Sequence, residues 1–338
     1  MSTMYPELAN TLIKLRERLY SSVKEQKKSV AEELVKVEWV SLLESEASKC
    51  RSIAAVDSSF ILIESRILPL YAIQGISQMF VIDGGKIAMK FSNRFCDAGV
   101  MEVVTGKHAK RSYFKKALTM YAYSLELESM EKLLRDSPAD LALFDGSLLS
   151  FMLTRRDIAE FVKLRNLESE IKLSELLRSK VRLIESLVER FTVAFVAKSS
   201  SVNFYKLSYT DFQLFELAKI HAMKPYSNPG YSKPVDISMS GEILKFLGLR
   251  ETSIKGFLVT YVRLGTGSQV FQLSAPYIEK RPDVNDMVSC IKMFSPAGYP
   301  LPLETVHRLS KLSRRTLKEF LIRIGMPIAS GREILEIF

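Results

Sequence analysis

The stretch Ser52–Phe60, SIAAVDSSF, decides how the rest of this 338-residue chain is interpreted. Its small and β-branched apolar residues, bounded by polar ones, predict a buried strand. The run ends at the carboxylate of Asp57. Because an unpaired carboxylate is costly to bury, a side chain of this type at a strand end indicates a function rather than core packing.

A second stretch, Asp140–Ser147, repeats the pattern, because DLALFDGS is an apolar run that ends at Asp145. Two such carboxylates lie close together when their strands are neighbours in one sheet. Open α/β sheets place their sites at this edge, outside the carboxyl ends of the strands. We therefore expect Asp57 and Asp145 to form one site.

The order of the elements supports this arrangement. The pattern up to residue 200 predicts β-β-β-α-β-α-β. The predicted strands are 52–57, 68–82, 86–91, 141–144 and 191–197, the helices are 110–136 and 151–190, and Asp83–Gly85 is a hairpin turn. A strand, a helix and a strand in one sheet normally form a right-handed parallel crossover. The predicted fold class is therefore α/β, with a mixed five-stranded sheet in which strand 141–144 lies beside and parallel to the first.

We divide the chain into four parts. These are an N-terminal helical segment, 1–48; the first part of the core, 49–200; an insertion with a Tyr- and Lys-rich loop, 201–256; and C-terminal strands and helices that complete the same domain, 257–338. The last part predicts a hairpin over 257–273 and helices from 284 onward. A break at 295–302 precedes final helices over 305–313 and 315–324.

Composition narrows the class of protein. The chain has 48 Lys and Arg against 38 Asp and Glu, a net charge of +10, and a basic surplus favours a polyanion such as nucleic acid. The three Cys form no CxxC motif, and only three His are present, so we expect buried free cysteines and neither a disulfide framework nor a zinc centre.

No apolar run reaches the ~20 residues of a membrane span. The N-terminus lacks a signal pattern, so an intracellular, cytoplasmic protein without membrane contact is expected.

The paired aspartates predict a site for hard divalent cations, which prefer oxygen ligands. Two such ions ~4 Å apart activate a water and stabilise the leaving oxygen of a phosphodiester. The helix between the two strands should supply a third carboxylate. Glu126 shares the inward face with Ala122 and Met130 and is favoured, while Glu128 stays open as the alternative.

Further residues fit a phosphodiester substrate. Lys198 ends the fifth predicted strand, where its ammonium would meet a phosphate, and His307 is a candidate ligand or acid–base group. Tyrosines alternate with lysines over 205–233, a pattern that stacks bases and follows a single strand. The candidate DNA-binding residues are Lys224, Tyr226, Tyr231, Lys233, Arg155 and Arg156.

Four motifs in this order resemble the archaeal NurA nuclease family. They are AAVDSS at 54–59, LALFDGSLL at 141–149, VAFVAKSSS at 193–201 and GYPLPLETVHRL at 298–309, and the resemblance covers residues 45–325. It implies an RNase H-like core and cleavage of DNA with Mn²⁺, or Mg²⁺. It also implies 5′→3′ exonuclease action on single- and double-stranded DNA and endonuclease action on single strands. The implied partners are a second copy of the chain, a hexameric HerA-type translocase, and other end-resection and single-strand-binding proteins in recombinational repair.

The resemblance carries the acidic residues of the family over to Asp57, Glu126 and Asp145, and its later tyrosine and histidine to Tyr205 and His307. One departure is visible, because Ser58 follows Asp57 where the family often has Gly. Two alternatives remain. One is another RNase H-like nuclease, such as a junction resolvase or an argonaute-like slicer, and the other is a non-catalytic DNA-binding adaptor of a DNA motor.

Overall fold

The structure, a computed structural model, describes residues 4–42, 49–63, 68–104 and 110–326. Its strands are β1 (Trp39–Ser41), β2 (Ser52–Ile63), β3 (Leu70–Asp83), β4 (Lys86–Val103), β5 (Leu141–Asp145), β6 (Val162–Asn166), β7 (Glu170–Ile171), β8 (Val193–Ala197), β9 (Gly230–Ser232), β10 (Val235–Ser238), β11 (Gly256–Arg263) and β12 (Phe271–Tyr277). Its helices are α1 (Pro6–Glu25), α2 (Lys27–Leu34), α3 (Arg111–Asp136), α4 (Leu148–Met152), α5 (Arg156–Ala159), α6 (Leu173–Arg190), α7 (Asp211–Ile220), α8 (Gly241–Leu247), α9 (Val284–Met293), α10 (Leu301–Ser310) and α11 (Arg314–Arg323). The end of the predicted C-terminal part, 327–338, lies outside the described residues.

The predicted core of the sheet is confirmed. β2, β3 and β4 form an antiparallel meander, β5 lies beside β2 in parallel, and β8 lies beside β5 in parallel. This is the RNase H-like arrangement that the sequence predicted. The sheet is larger than five strands, however, and has twelve within the described residues, in the order β1-β9-β11-β12-β8-β5-β2-β3-β4-β6-β7 with β10 on β11.

The prediction of one helix over 151–190 is wrong. Only α6 fills the second half of this range, and β6 interrupts the first half and pairs with β4. Val162 and Leu164 are buried, while Lys163 and Arg165 alternate with them and are more exposed. This period of two is typical of a strand. The strand is short and lies among basic residues, so the sequence pattern did not distinguish it from the predicted helix.

The N-terminal segment is also not helical throughout. α1 buries none of its residues, whereas α2 buries Val30 and Leu34. β1 then pairs with β9, which lies within the insertion 201–256 that was predicted to carry a Tyr- and Lys-rich loop. The Trp39 ring of β1 packs against Phe215 at 5.5 Å between ring centres, so this aromatic contact fixes a short strand where the pattern predicted helix.

The C-terminal helices begin earlier than predicted. α10 starts at Leu301 rather than at 305, with a proline in its first turn. Proline is tolerated there because the first backbone N–H groups of a helix have no intrahelical acceptor. The final helix, α11, matches its prediction within one residue at each end.

Helices cover both faces of the sheet. Buried residues of α3, α6 and α7 form one apolar cluster with alternate residues of β2, β5 and β8. The intervening residues of the same strands pack against α9 and α10 on the other face. None of the helices in the described ranges is long and apolar enough to cross a membrane.

The prediction of three free, buried cysteines is wrong. Cys50, just before β2, and Cys290 on α9 are joined by a disulfide, with their Cα atoms 5.3 Å apart and 240 residues between them in the chain. Cys96 is free and exposed on β4. The pair meets because β2 and α9 share one apolar cluster, which spacing in the sequence does not reveal.

One buried lysine makes the stability of the fold depend on pH. Lys180 on α6 is fully buried, and its ammonium donates to the Leu153 carbonyl at 3.0 Å. Burial lowers the pKa of Lys180 to about 7. The unfolded chain keeps this proton up to about pH 10.4, so the native state binds fewer protons between pH 7 and pH 10, and stability rises with pH in that window.

We therefore expect the free energy of unfolding of the wild type to rise relative to that of Lys180→Met by about 2 kcal/mol between pH 7 and pH 9. Urea denaturation at pH 7, 8 and 9 measures this difference. Lys116→Met, at an exposed position of α3, is the control and should keep the wild-type slope. Parallel curves for Lys180→Met and the wild type would show that the lysine does not titrate in this range.

Candidate metal centre

The alternation of side chains along the strands brings three charged groups to one face. Ile53 and Ala55 of β2 belong to the apolar cluster under α9 and α10, so Asp57 continues toward the same face. Leu141 and Leu143 of β5 lead to Asp145 in the same way. The same alternation on β8 carries Lys198, which follows Ala197, to this face.

Asp57 lies within β2 and not at its end, which corrects the prediction. β2 continues to Ile63 along β3, but its parallel pairing with β5 stops at Val56. β5 itself ends at Asp145, and Gly146 has φ of 144°, a conformation that disfavours a residue with a Cβ atom. The two aspartates therefore flank the point where the parallel ladder ends, as expected.

His307 completes a cluster of possible ligands. One atom each from Asp57, Asp145 and His307 lie within 4.8 Å of one another. His307 on α10 bonds through Nδ1 to Asp57 Oδ2 at 2.7 Å, and the Ser310 hydroxyl donates to the same oxygen at 3.2 Å. The His307 side chain is 62 % exposed, so the imidazole is accessible from solvent.

Glu126 approaches from the opposite face of the sheet. It lies on α3, is 3 % exposed, and accepts a hydrogen bond through Oε1 from the hydroxyl of Ser58. Its Oε2 atom is buried and has no hydrogen-bond partner among the described residues. Glu128 is exposed and bonded to Ser124 at 3.3 Å, so the structure brings Glu126 and not Glu128 toward Asp57.

The electrostatics of the cluster favour a cation. Burial, then the charge of Asp145, raises the pKa of Asp57, against the lowering effect of the His307 hydrogen bond. Burial and the charge of Asp57 raise the pKa of Glu126 well above its usual value. Buried like charges disfavour their own ionised forms, and a divalent cation would relieve both effects. The buried, unpartnered Glu126 Oε2 is an atom that such a cation would satisfy.

Lys198 lies where the sequence predicted. Its ammonium is 2.6 Å from Asp145 Oδ2, and its side chain is 47 % exposed. It therefore combines contact with the carboxylates and access from solvent, which a phosphate-binding cation needs.

Tyr205 is not in contact with this cluster. Its hydroxyl donates to Ser232 and to the Lys233 carbonyl, each at 2.7 Å, and its ring packs against Phe215 and Tyr261. These contacts belong to the side of the sheet formed by β9 and β11. The structure therefore gives Tyr205 a packing role, and its assignment to the site by resemblance stays unsupported.

The predicted DNA-binding residues are distributed over the surface and the core. Tyr231 is buried, and the Tyr226 hydroxyl donates to the carbonyls of Leu34 and Val37, so neither ring stands free for base stacking. Lys233 pairs with Glu38 at 2.7 Å and Arg155 with Asp157 at 2.6 Å. Lys224 and Arg156 are exposed. A role in DNA binding stays a prediction for all six residues.

Sequence reasoning missed two tyrosines that lie near the carboxylates. Tyr123 on α3 stacks on Phe151, and burial together with the charge of Glu126 raises the pKa of Tyr123 to about 12. Tyr299 precedes α10, and burial together with the charges of Asp145 and Asp57 raises its pKa. The motif GYPLPLETVHRL contains Tyr299 and was the signal that could have found it.

The chain is similar in sequence and in fold to known proteins. The NurA domain model matches residues 51–312. The crystal structure of the NurA nuclease from Sulfolobus solfataricus superimposes with a TM-score of 0.68 at 19 % identity and covers 95 % of this chain and 97 % of that one. A NurA structure bound to dAMP and manganese gives a TM-score of 0.57 at 14 % identity, covering 93 % and 96 % of the two chains.

A curated relative is an uncharacterized protein of Methanocaldococcus jannaschii, 29 % identical over 107 residues. The match spans 28 % of this chain and 26 % of that protein, so it contributes no functional argument. The domain match, by contrast, covers all of the elements that build the carboxylate cluster, from β2 to α10. The chain therefore belongs to the NurA family.

Proposed function

We propose that this protein is a manganese-dependent DNA nuclease. The observation that carries the proposal is the convergence of Asp57, Asp145 and His307 within 4.8 Å, beside the unpartnered oxygen of Glu126. The carboxylate oxygens of this cluster suit both Mn²⁺ and Mg²⁺. Support also comes from the family, since a relative's structure is described with manganese and another with dAMP and manganese.

In the mechanism, Asp57, Asp145 and Glu126 would hold one or two cations, which when bound lower the pKa of a water and stabilise the leaving 3′ oxygen. Ser58 orients Glu126 by donating to its Oε1. Asp57 orients His307 through Nδ1, and the imidazole, whose side chain is largely exposed, would hold or pass a proton at the substrate. Lys198 reaches from the same face toward solvent and would hold the non-bridging oxygens of the phosphate.

The finer activity rests on the family resemblance. We propose 5′→3′ exonuclease action on single- and double-stranded DNA and endonuclease action on single strands. The protein would act as a homodimer with a HerA-type hexameric translocase in DNA end resection for recombinational repair. The net charge of +10 supports a DNA partner, because phosphate contacts release counterions.

A cleavage assay tests this proposal. DNA labelled at the 5′ or the 3′ end is incubated with the protein in Mn²⁺, Mg²⁺ or EDTA, and circular single-stranded DNA reports endonuclease action. We expect early release of the 5′ label, cleavage of the circle, and no cleavage in EDTA. DNA bound but uncut in Mn²⁺ would identify a non-catalytic adaptor, and preferential cleavage of a four-way junction would identify a resolvase.

A further inference from the structure

A cation–π pair adjoins the carboxylates and is not explained by metal binding alone. The Lys198 ammonium lies 5.2 Å from the centre of the Tyr299 ring and 2.6 Å from Asp145 Oδ2. Phe271 on β12 packs edge-on against the same ring at 6.2 Å between centres. The ring thus packs against the core, whereas the lysine side chain is half exposed.

A divalent cation bound at this site and the ammonium of Lys198 would compete for Asp145. Asp145 is one of the three residues whose donor atoms converge within 4.8 Å, and it also accepts the Lys198 ammonium. A divalent cation at these donors and an ammonium on the same carboxylate repel each other at short range. A divalent cation at these donors would therefore weaken the contact between the ammonium and Asp145, and the flexible four-carbon stem of lysine permits the ammonium to move away.

We propose that Lys198 is a movable counter-ion, which neutralises Asp145 until a divalent cation binds and then turns, still resting on the Tyr299 ring, to a phosphate of the DNA. The ring supplies the resting place, because a cation over an aromatic face is attracted by its quadrupole without a fixed bonding direction. Tyr299 is in this view a positioning residue that acts through Lys198. The inference rests on the proposed function for its DNA step only.

The two claims have separate measurements. Isothermal titration of Mn²⁺ alone tests the counter-ion, and we expect Lys198→Met to bind Mn²⁺ about fivefold more tightly than the wild type, because the competing cation is gone. Lys245→Met, at an exposed position of α8, is the control and should bind as the wild type does. Equal or weaker Mn²⁺ binding by Lys198→Met would overturn the counter-ion role.

Fluorescence anisotropy with a labelled single-stranded oligonucleotide in Ca²⁺ tests the resting place. We expect Tyr299→Leu and Lys198→Met each to weaken binding about fivefold, and the double variant to weaken it no further, since coupled residues are non-additive. Tyr299→Phe keeps the aromatic face and should bind as the wild type does. Additive losses in the double variant, or a loss in Tyr299→Phe equal to that in Tyr299→Leu, would show that Tyr299 does not act by holding Lys198.

Failure of this inference and failure of the proposed function are distinguishable. If the wild type binds Mn²⁺ but does not cut DNA, the nuclease proposal fails, and the Mn²⁺ titration of Lys198→Met still decides the counter-ion role. If the wild type cuts DNA and Lys198→Met shows unchanged Mn²⁺ affinity, the nuclease proposal stands and the movable counter-ion is wrong.

Discussion

Replacing Asp57 or Asp145 by alanine is expected to lower the rate of DNA cleavage in Mn²⁺ at least about 10³-fold, the equivalent of ~4 kcal/mol of transition-state stabilisation. Each aspartate contributes one of the three donors that lie within 4.8 Å of one another. With one of them gone, the cation would lose both affinity and orientation. Single-turnover cleavage of end-labelled DNA, with enzyme in excess, measures the loss without interference from product release.

The matched control is Asp83→Ala. Asp83 is an exposed aspartate in the β3–β4 hairpin, where it pairs with Lys90 at 3.2 Å, and exposed pairs of this kind contribute little. This variant should cut DNA at the wild-type rate. Circular dichroism and thermal unfolding establish that all three variants are folded.

Mn²⁺ binding provides a second readout for the same variants. A ligand that binds only the native state raises its stability by RT ln(1 + [L]/Kd). We expect Mn²⁺ to raise the melting temperature of the wild type and of Asp83→Ala, and to have a much smaller effect on Asp57→Ala and Asp145→Ala. Cleavage at the wild-type rate by either site variant would refute the metal centre.

The pairing of Asp57 with Asp145 could be predicted because it follows from local rules. Two apolar runs end in a carboxylate, a helix lies between them, and the right-handed crossover leaves the strands adjacent and parallel. The face toward which each carboxylate points then follows from strand alternation. These are properties of short segments, and a sequence displays them directly.

The contacts that needed long-range information could not be predicted in this way. His307 meets Asp57 across 250 residues of chain, and the sequence pattern presented it only as a candidate ligand or acid–base group without naming its partner. The position of Tyr299 could not be predicted either, because it depends on contacts with Lys198 and with Phe271 of β12 that are distant in sequence. The surroundings of Tyr205 could not be predicted for the same reason, since a tyrosine among lysines does not reveal whether its ring faces solvent or the core, and its role in the site stays a prediction.

Ser58 shows how a local departure acquires a meaning only in the structure. A glycine at this position would leave Glu126 without the hydroxyl that donates to its Oε1. Ser58 faces α3, whereas Asp57 faces α10, because neighbouring residues of a strand point to opposite faces. Asp57 and Ser58 therefore contact groups on opposite faces of the sheet, and Ser58 orients the carboxylate of Glu126 on α3.

Replacing Glu126 by glutamine is expected to lower the rate of DNA cleavage about 10²-fold or more, which is the upper range for the loss of a group that orients a bound metal. The same substitution is expected to stabilise the protein in the absence of added metal. Glutamine keeps the size of the side chain and an acceptor for Ser58, but it removes the negative charge. Glu128→Gln, on the same helix with its carboxylate directed to Ser124, is the control for activity and should keep the wild-type rate of cleavage. This pair of variants also decides between the two glutamates that the sequence left open.

The stability effect has a defined sign and pH range. Because burial and the charge of Asp57 raise the pKa of Glu126 above its ordinary value of 4.5, the native state binds this proton more tightly than the unfolded chain does. The wild type therefore loses stability as the pH rises through 4.5 toward the raised pKa of Glu126. We expect Glu126→Gln to exceed the wild type by about 1–3 kcal/mol at pH 7 in EDTA, and the difference to close below about pH 4.

Added Mn²⁺ should reverse the order of the two proteins. Binding stabilises a protein in proportion to the logarithm of [L]/Kd, and the wild type, with its full set of carboxylates, has the lower Kd. Urea denaturation at pH 7 in EDTA and in millimolar Mn²⁺ measures the stability of both proteins without and with the metal.

If Glu126→Gln were the less stable protein in EDTA, the buried charge of Glu126 would not destabilise the fold. If Mn²⁺ stabilised both proteins equally, Glu126 would not be a ligand. The crossing of the two stabilities is the result that only a buried metal carboxylate produces, because a packing residue would lose stability in both conditions and a surface glutamate would change in neither.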